Sequence, residues 1–551
     1  KLKVEYERRL GSLKSEFATW QDVARDIKDY IVPHRGRFQN TDRNKGTDKT
    51  RLIYDNTASL AVRTIAAGMQ SGMTSPARPW FKIRTTDPFL NKRQAVKVWC
   101  EEVTKIMQRI FAVSNTYDTL RSSYEEIATF GTAAFVTLPD FDNVIHHHAF
   151  TFGEYYIGQN GKCTVDSFYR EYQMTVGALV KEFGYENCSR EVKNLYNEGS
   201  IDKWQTVVHV IEPREDRDIQ KKDSKNMPWK SVYFERSNDC KTFLKESGFK
   251  RFPAIVTRWS RVGQDIYGTQ SPGMISIGDV KSLQHEQVRK SQGIDYKSKP
   301  PLQVPYGMKN EDIDYLPGGI SYVPQVGPQN AVRTLFDVNL DLGELREDIQ
   351  DVRGRINSAF FKDLFLMLAN DPSGQMTATE VLKREEEKMI QLGPMQERFH
   401  VDGLKRLIDV TFDIGIEGNM FPPPPQELQG QEIEVEFVSV FAQAQKAIGL
   451  SSIDRFVASL GAIAPVKPDV MMKFDEMAYA DIIADKLGID PSLVVPSEQV
   501  SLIKQKRQEQ IQKEQQLQAM NQMAKTAKDL SQSNMSDDNA LSGVVKSLGG
   551  G

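Results

Sequence analysis

Pro272-Gly273-Met274-Ile275-Ser276-Ile277-Gly278-Asp279-Val280 opens a helix whose apolar positions continue through Leu283, Val288 and Ile294 to about Tyr296. Proline in the first turn loses no hydrogen bond there, because that N–H has no partner within the helix. Further along, Leu345, Ile349, Val352, Ile356 and Phe360 recur at helical spacing. They form one face of a second helix predicted over 338–365. Its other face carries Arg346, Glu347, Asp348, Gln350, Asp351, Arg353, Arg355 and Asn357. At 1.5 Å per residue this rod is about 40 Å long. Lys299-Pro300-Pro301 stops the first helix. Pro305, Gly307, Pro317-Gly318-Gly319, Pro324 and Gly327-Pro328 then keep the chain in turns and short strands. Ala369-Asn370-Asp371-Pro372-Ser373-Gly374 reads as a loop after the second rod. Two readings fit: an antiparallel helix pair inside an ordinary domain, or a stalk packed beside copies of itself. In the second, neighbouring copies cover the apolar stripe.

The chain has 551 residues, 26% of them charged, and a net charge of −3. That length allows several modules around a large core. The balanced charge argues against tight DNA binding, which needs clustered Lys and Arg to neutralise phosphates. It does not exclude a protein that lets DNA slide past. Cys100, Cys163, Cys188 and Cys240 are scattered with no paired spacing, so they are expected as free thiols in a reducing compartment. No apolar run reaches membrane-spanning length and no signal-like core opens the sequence, so a soluble protein made in the cytoplasm is expected, with no membrane partner.

Residues 1–32 carry Leu10, Phe17, Ile27 and Ile31 on one side of a helix that Pro33 ends. Asn56 is placed to cap a helix from Thr57 to about Gln70. Trp80 after Pro76 and Pro79 reads as a core plug at the start of a short strand. Helices are expected over 92–113 and 117–129. The period then changes to that of strands at 134–138, 145–152 and 154–157. Asn160-Gly161 signals a hairpin whose return strand is 162–172. Strands at 205–211, 231–235 and 254–258 complete an α+β, mainly α, body. Thr377-Ala378-Thr379-Glu380 is a capping box for a helix to about Leu392, which Gly393-Pro394 breaks. A helix follows at 396–415. Phe421-Pro422-Pro423-Pro424-Pro425 is a rigid spacer. Glu432–Val440 alternates like a strand returning to the body. From 441 the chain is helical, ending in a polar helix at 497–529 and a Ser/Asn/Gly-rich tail.

Little in the sequence points to catalysis. Gly158–Cys163 has the look of a phosphate loop but lacks its first glycine and its Ser/Thr, so it reads as a hairpin. His146-His147-His148 lies in a strand, where two of the three share a face, with no further ligand beside them. No nucleophile elbow, zinc motif or paired aspartates occur. The reading is a non-enzyme with no metal and no cofactor.

Ile53–Ala58, the run Ala66-Ala67-Gly68-Met69-Gln70-Ser71-Gly72-Met73-Thr74-Ser75-Pro76-Ala77-Arg78-Pro79-Trp80-Phe81, Ser114–Tyr117, Phe130–Ala133 and Met376–Val381 with Leu392–Pro394 occur in one order. Together they resemble the head-to-tail connector, or portal, proteins of short-tailed bacteriophages of the podovirus type, over residues 20–420. The resemblance implies a ring, a dodecamer, at one capsid vertex of the virion, through which double-stranded DNA is packaged and ejected. It implies a wing (1–270 and 376–440), a stem (271–297 and 338–365), a clip (298–337), a tunnel loop (366–375) and a helical crown with tail (441–551). Leu345, Ile349, Val352, Ile356 and Phe360 would pack the stem. Lys362, Asn370, Asp371, Ser373 and Gln375 would lie near DNA at the tunnel loop. Lys309, Asp312, Tyr315 and Tyr322 of the clip would meet the terminase large subunit and then the tail adaptor or tail tube protein. Major capsid and scaffolding proteins, and internal core proteins, complete the implied partners. The alternatives from other classes are a DNA-packaging enzyme, a terminase-like ATPase or nuclease, and a tail adaptor or scaffold component.

Overall fold

The computed structural model describes residues 2–39, 46, 49–221, 223–236, 243–299, 302–303, 333–334, 342–369, 393–428, 430, 432–439, 450–463, 465, 474–476, 478–480, 483, 495 and 497–532. The chain divides into two units, Lys1–Gln445 and Lys446–Gly551.

The first unit opens with α1 (Leu2–Tyr30), which buries Leu10, Phe17, Ala24 and Ile27. α2 (Thr57–Met73) follows, lined by the small residues Ala58, Ala61 and Ala66 among its buried positions. Asn56 makes no capping hydrogen bond with its side chain. Asp55 takes that role instead: its Oδ1 accepts from the Thr57 N–H at 2.9 Å. β1 (Phe81–Thr85) follows Trp80, which is buried between the rings of Phe81 and Phe111 as the core plug expected. α3 (Gln94–Val113) packs against β1, and α4 (Thr116–Phe130) against α2. α4 ends at Gly131, whose φ of 75° is the left-handed geometry that closes a helix.

Strands β2 (Thr132–Asp140), β3 (Val144–Phe150), β4 (Tyr155–Gln159) and β5 (Val165–Thr175) come next. α5 (Val176–Phe183) and α6 (Arg190–Asn197) interrupt them, and β6 (Trp204–Pro213), β7 (Trp229–Glu235), β8 (Lys245–Phe249) and β9 (Ala254–Arg258) resume. They form a 3-stranded sheet of order β3-β2-β9 and a 5-stranded sheet of order β4-β5-β6-β7-β8. The β4–β5 hairpin is the one that Asn160-Gly161 signals. Its turn is held by the Asn160 side chain, which accepts from the N–H of Lys162 (3.0 Å) and of Thr164 (3.1 Å). Apolar alternation on the inner sheet faces, with Phe135, Tyr155, Phe168, Val210 and Ile255 buried, joins both sheets to the helices in one core.

α7 (Pro272–Ser298) leaves this body. β10 (Leu302–Gln303) and β11 (Arg333–Thr334) pair as a short antiparallel ladder. α8 (Leu342–Ala359) packs against α7. The second rod is therefore not continuous to 365. It breaks at Phe360-Phe361, where Phe361 has φ 54°, a strained value for a bulky side chain, and α9 (Lys362–Ala369) begins. Residues 393–399 are helical, His400–Leu404 form a π turn, and α10 (Lys405–Glu417) continues. β12 (Ile433–Phe437) then runs antiparallel to β1, Phe81 opposite Phe437, so the strand expected at 432–440 does return to the body.

The second unit contains α11 (Leu450–Ile463) and the 36-residue α12 (Ser497–Gln532). Ile503, Leu517, Met520 and Met523 of α12 are exposed. The expected helices at 378–392 and 441–448, and the tail, lie outside the described residues. Among the described residues no helix is long and apolar enough to cross a membrane.

Candidate functional site: a rooted helix pair

The base of α7 is fixed by close backbone packing. The Ser271 side chain accepts from the Met274 N–H (3.3 Å) and donates to the Thr129 carbonyl (2.7 Å). At Gly273 an added Cβ would sit 2.6 Å from that same carbonyl oxygen, so only glycine allows the approach. The helix start is thereby locked onto the end of α4.

Along the pair, Val280 and Leu283 of α7 and Ile349, Val352 and Ile356 of α8 are all buried. Phe360 is fully buried and Leu345 is half-buried. The cover comes from this chain's own helices, because α8 also packs against α2. This corrects the expectation that neighbouring copies must supply the hydrophobic partner. A chain-internal surface removes the stripe from water, each buried side chain contributing about 1.5–3 kcal/mol relative to exposure. The far end of α7 differs: Ile294 and Tyr296 are exposed.

Charge binds the pair as well. Arg355 Nη2 meets Asp279 across the helices at 3.2 Å and Nη1 meets Asp351 one turn away. Glu286 stands near Asp348, and burial followed by that like charge pushes the Glu286 carboxyl up. The strongest tie runs to the loop before α2. Asp55, only 4% exposed at its side chain, takes two hydrogen bonds on Oδ2 from Arg353, at 3.0 Å from Nε and 2.7 Å from Nη2. Gln287 Nε2 donates to the same oxygen at 3.0 Å. Gln284 accepts from the N–H groups of Tyr54 and Asp55 and donates to the Asp55 carbonyl. Burial acts to raise the Asp55 carboxyl, but hydrogen bonds from Thr57 and from Arg353 outweigh it and hold it below the ordinary aspartate value. One carboxylate thus joins the α2 loop, α7 and α8.

Asp55, Gln284 and Arg353 are site residues that the sequence reading missed. Asp55 lies in the Ile53–Ala58 stretch, but a cap and a buried ion-pair partner look alike in one dimension. Of the residues expected near DNA, Lys362 is half-buried at the start of α9 and makes no ion pair among the described residues. Asn370, Asp371, Ser373 and Gln375 lie outside the described residues, as do Lys309, Asp312, Tyr315 and Tyr322. α9 presses on α2 at Gly68, where an added Cβ would fall 2.1 Å from a ring carbon of Phe365.

Among the described residues no group of three or more His, Cys, Asp or Glu is placed to hold a metal. His147 is buried, with its two ring nitrogens bonded to Thr116 (2.8 Å) and Thr137 (2.9 Å). His146 and His148 share the opposite face, their rings 4.9 Å apart. The histidine run is a strand-packing feature.

The described residues thus build a helix pair anchored on an α+β body. Residues 3–495 match the family described as "Bacteriophage head to tail connecting protein". The chain belongs to that family. It is 52% identical over 542 residues to the "Probable portal protein" of Bordetella phage BPP-1, covering 98% of both chains. It is 40% identical over 542 residues to the "Portal protein" of Salmonella phage epsilon15, again covering 98% of both. Among solved structures it aligns with a chain from the neck of an empty GTA particle at a TM-score of 0.36 and 11% identity, over 79% of this chain and 93% of that one.

Proposed function

We propose that this chain is the subunit of a portal ring, a head-to-tail connector at one capsid vertex of a phage virion. The observation that carries this is near-complete coverage in both directions with two relatives named as portal proteins, at 52% and 40% identity. On this reading the body is the wing and α7 with α8 the stem. Residues 298–337 are the clip, 366–375 a tunnel loop, and the C-terminal helices a crown. Copies assemble as a dodecamer in the host cytoplasm. Double-stranded DNA passes through the bore on packaging and on ejection. The clip docks the terminase large subunit first and the tail adaptor afterwards, while capsid, scaffolding and internal core proteins meet the wing and crown.

The physical case rests on how the stem is built. Its apolar face is covered from within the chain, so the polar face of α8, with Arg346, Glu347 and Asp348, is left to line the bore, and copies meet through other surface such as the exposed far end of α7. Mixed charge on a bore wall holds a polyanion weakly, which suits a conduit. Mass photometry and negative-stain imaging of the purified protein test the proposal. A closed ring with an axial hole wide enough for a duplex is expected. A monomer, or a particle without an opening, would remove the function proposed here.

A further inference from the structure

Arg258, Arg261, Arg398 and Arg406 are scattered in the sequence but converge where β9, the β4–β5 turn and the π turn meet. Arg258, the last residue of β9, and Arg261 both donate to the Cys163 carbonyl, at 2.9 and 2.7 Å. Arg406 on α10 donates to the Val165 carbonyl of the same hairpin at 3.4 Å. Arg398, two residues before the π turn, lies close enough to act on Arg258 by like charge. Arg258 is only 3% exposed and is held further by the Gln159 side chain (3.1 Å) and the Ile266 carbonyl (3.2 Å). The other three are half-buried.

Carboxylates do not balance this cluster. Among the described residues, the one ion pair that any of the four makes is Arg258 with Asp402 of the π turn, at 3.9 Å. Asp409 also acts on Arg406, but Arg251 (3.5 Å) and Lys405 already face it. Guanidinium groups do not shed their charge at any ordinary pH, so the excess is permanent. Burial, opposed by Asp402 but reinforced by the three neighbouring arginines, holds the Arg258 guanidinium below its ordinary value. Two nitrogens of the cluster are shielded from water with nothing to donate to: Nε of Arg258 and Nη1 of Arg398. Arg398 makes no hydrogen bond or ion pair among the described residues. Buried donors are as a rule paired, and a charged donor left unpaired is costly.

We propose that this arginine cluster binds a phosphate group, with Arg261, Arg398 and Arg406 at the rim and Arg258 behind them. A carboxylate brings one charge and two oxygens in one plane. Free phosphate brings nearly two charges, a nucleic-acid backbone brings one per nucleotide in succession, and both point oxygens in several directions. Guanidinium groups arriving from a strand, a loop and a helix can then each meet an oxygen of their own. The cluster lies outside the helix pair and is built from one chain, so the proposal does not depend on ring formation.

The test compares thermal midpoints of the full-length protein in sodium phosphate, sodium acetate and sodium chloride at equal ionic strength and pH. Phosphate should raise the midpoint above the other two, and the rise should saturate, as binding to the folded state requires. Arg398→Gln should need about tenfold more phosphate for the same rise, the scale of one lost charge-assisted hydrogen bond. Lys405→Gln makes the same change of charge at an exposed neighbour and should respond as the unaltered protein does. Fluorescence anisotropy with a short labelled DNA duplex separates the two sources. Duplex binding that weakens in Arg398→Gln but not in Lys405→Gln assigns the site to a nucleic-acid backbone, and a response to phosphate alone assigns it to the free ion. A rise that acetate matches, or that Arg398→Gln keeps in full, is a general salt effect and overturns the proposal. So does the absence of any rise together with duplex binding indifferent to Arg398→Gln. Should that variant not fold, the comparison of phosphate with acetate on the unaltered protein still decides.

Discussion

Asp55 and Arg353, 298 residues apart in sequence, form a two-point ion pair with Oδ2 as the shared acceptor. The carboxylate is buried while the guanidinium is about a third exposed. That asymmetry sets the expected response to mutation.

Removing the cation leaves a buried carboxylate with only amide and hydroxyl donors. Breaking a buried pair costs about 3–5 kcal/mol, and partial exposure of Arg353 reduces this to about 2 kcal/mol. Arg353→Met should therefore lower the thermal midpoint clearly. Asp55→Asn should cost similar stability and lose the Arg353 contact as well. A double-mutant cycle by differential scanning fluorimetry reads the coupling. Additive losses would mean that the pair does not tie the helices to the α2 loop.

The same pair has a pH signature. Because the Asp55 carboxyl is held below its ordinary value, its contribution is fully present above the unfolded pKa of about 3.9. It is lost as pH falls from there through the lower folded value. Arg353→Met should make that part of the acid sensitivity smaller, because the Thr57 hydrogen bonds remain, and should lower the midpoint at pH 7.

Gly68 and Phe365 make a second long-range contact whose sign is fixed by sterics. Gly68→Ala must push the ring aside and should destabilise by about 1–3 kcal/mol. Phe365→Leu in the same chain should recover part of that loss, a non-additivity expected of residues in direct contact. Thermal midpoints of the single and double variants measure it.

Some of this was legible in one dimension. Helical spacing locates α7, and Pro272 marks its start because tolerance of proline in a first turn is a local event. Asn160-Gly161 signals a hairpin for the same reason. The break at Phe360-Phe361 was not legible, because Asn357–Asp363 contains no proline or glycine to mark a turn that tertiary packing imposes. Pairing of β1 with β12 was equally hidden, since Glu432–Val440 looks like a strand but alternation does not name a partner. The cover over Ile349 and Val352 was misread because periodicity shows that a face is buried, not what buries it. Asp55 was hidden behind its neighbour Asn56, the more usual capping residue.

Acid should also loosen the body through its buried histidines. Burial pushes the His147 imidazole down to about 3 and that of His400 down to about 4. Neutral in the fold and protonated in the unfolded chain below about pH 6.5, each stabilises fully above that pH. Each loses its contribution as pH falls toward the folded value, at up to about 1.4 kcal/mol per pH unit. Thermal midpoints should decline between pH 6.5 and 5. His147→Gln, which can still bond Thr116 and Thr137, should make that decline shallower. An unchanged slope would mean His147 is not among the groups responsible.

Lys362 provides a test of the conduit reading that is separable from folding. It is the first residue of α9, where a helix presents free N–H groups and favours negative charge. Lys362→Glu should therefore leave the helix at least as stable, and ring assembly unaffected in mass photometry. If the lysine approaches phosphate, reversing its charge should reduce the DNA packaged per particle. Lys362→Gln should reduce it less, because it removes an attraction without adding a repulsion. The ordering wild type, Gln, Glu in nuclease-protected DNA is the expected outcome. Equal protection in all three would place Lys362 away from the DNA path, even with the ring itself intact.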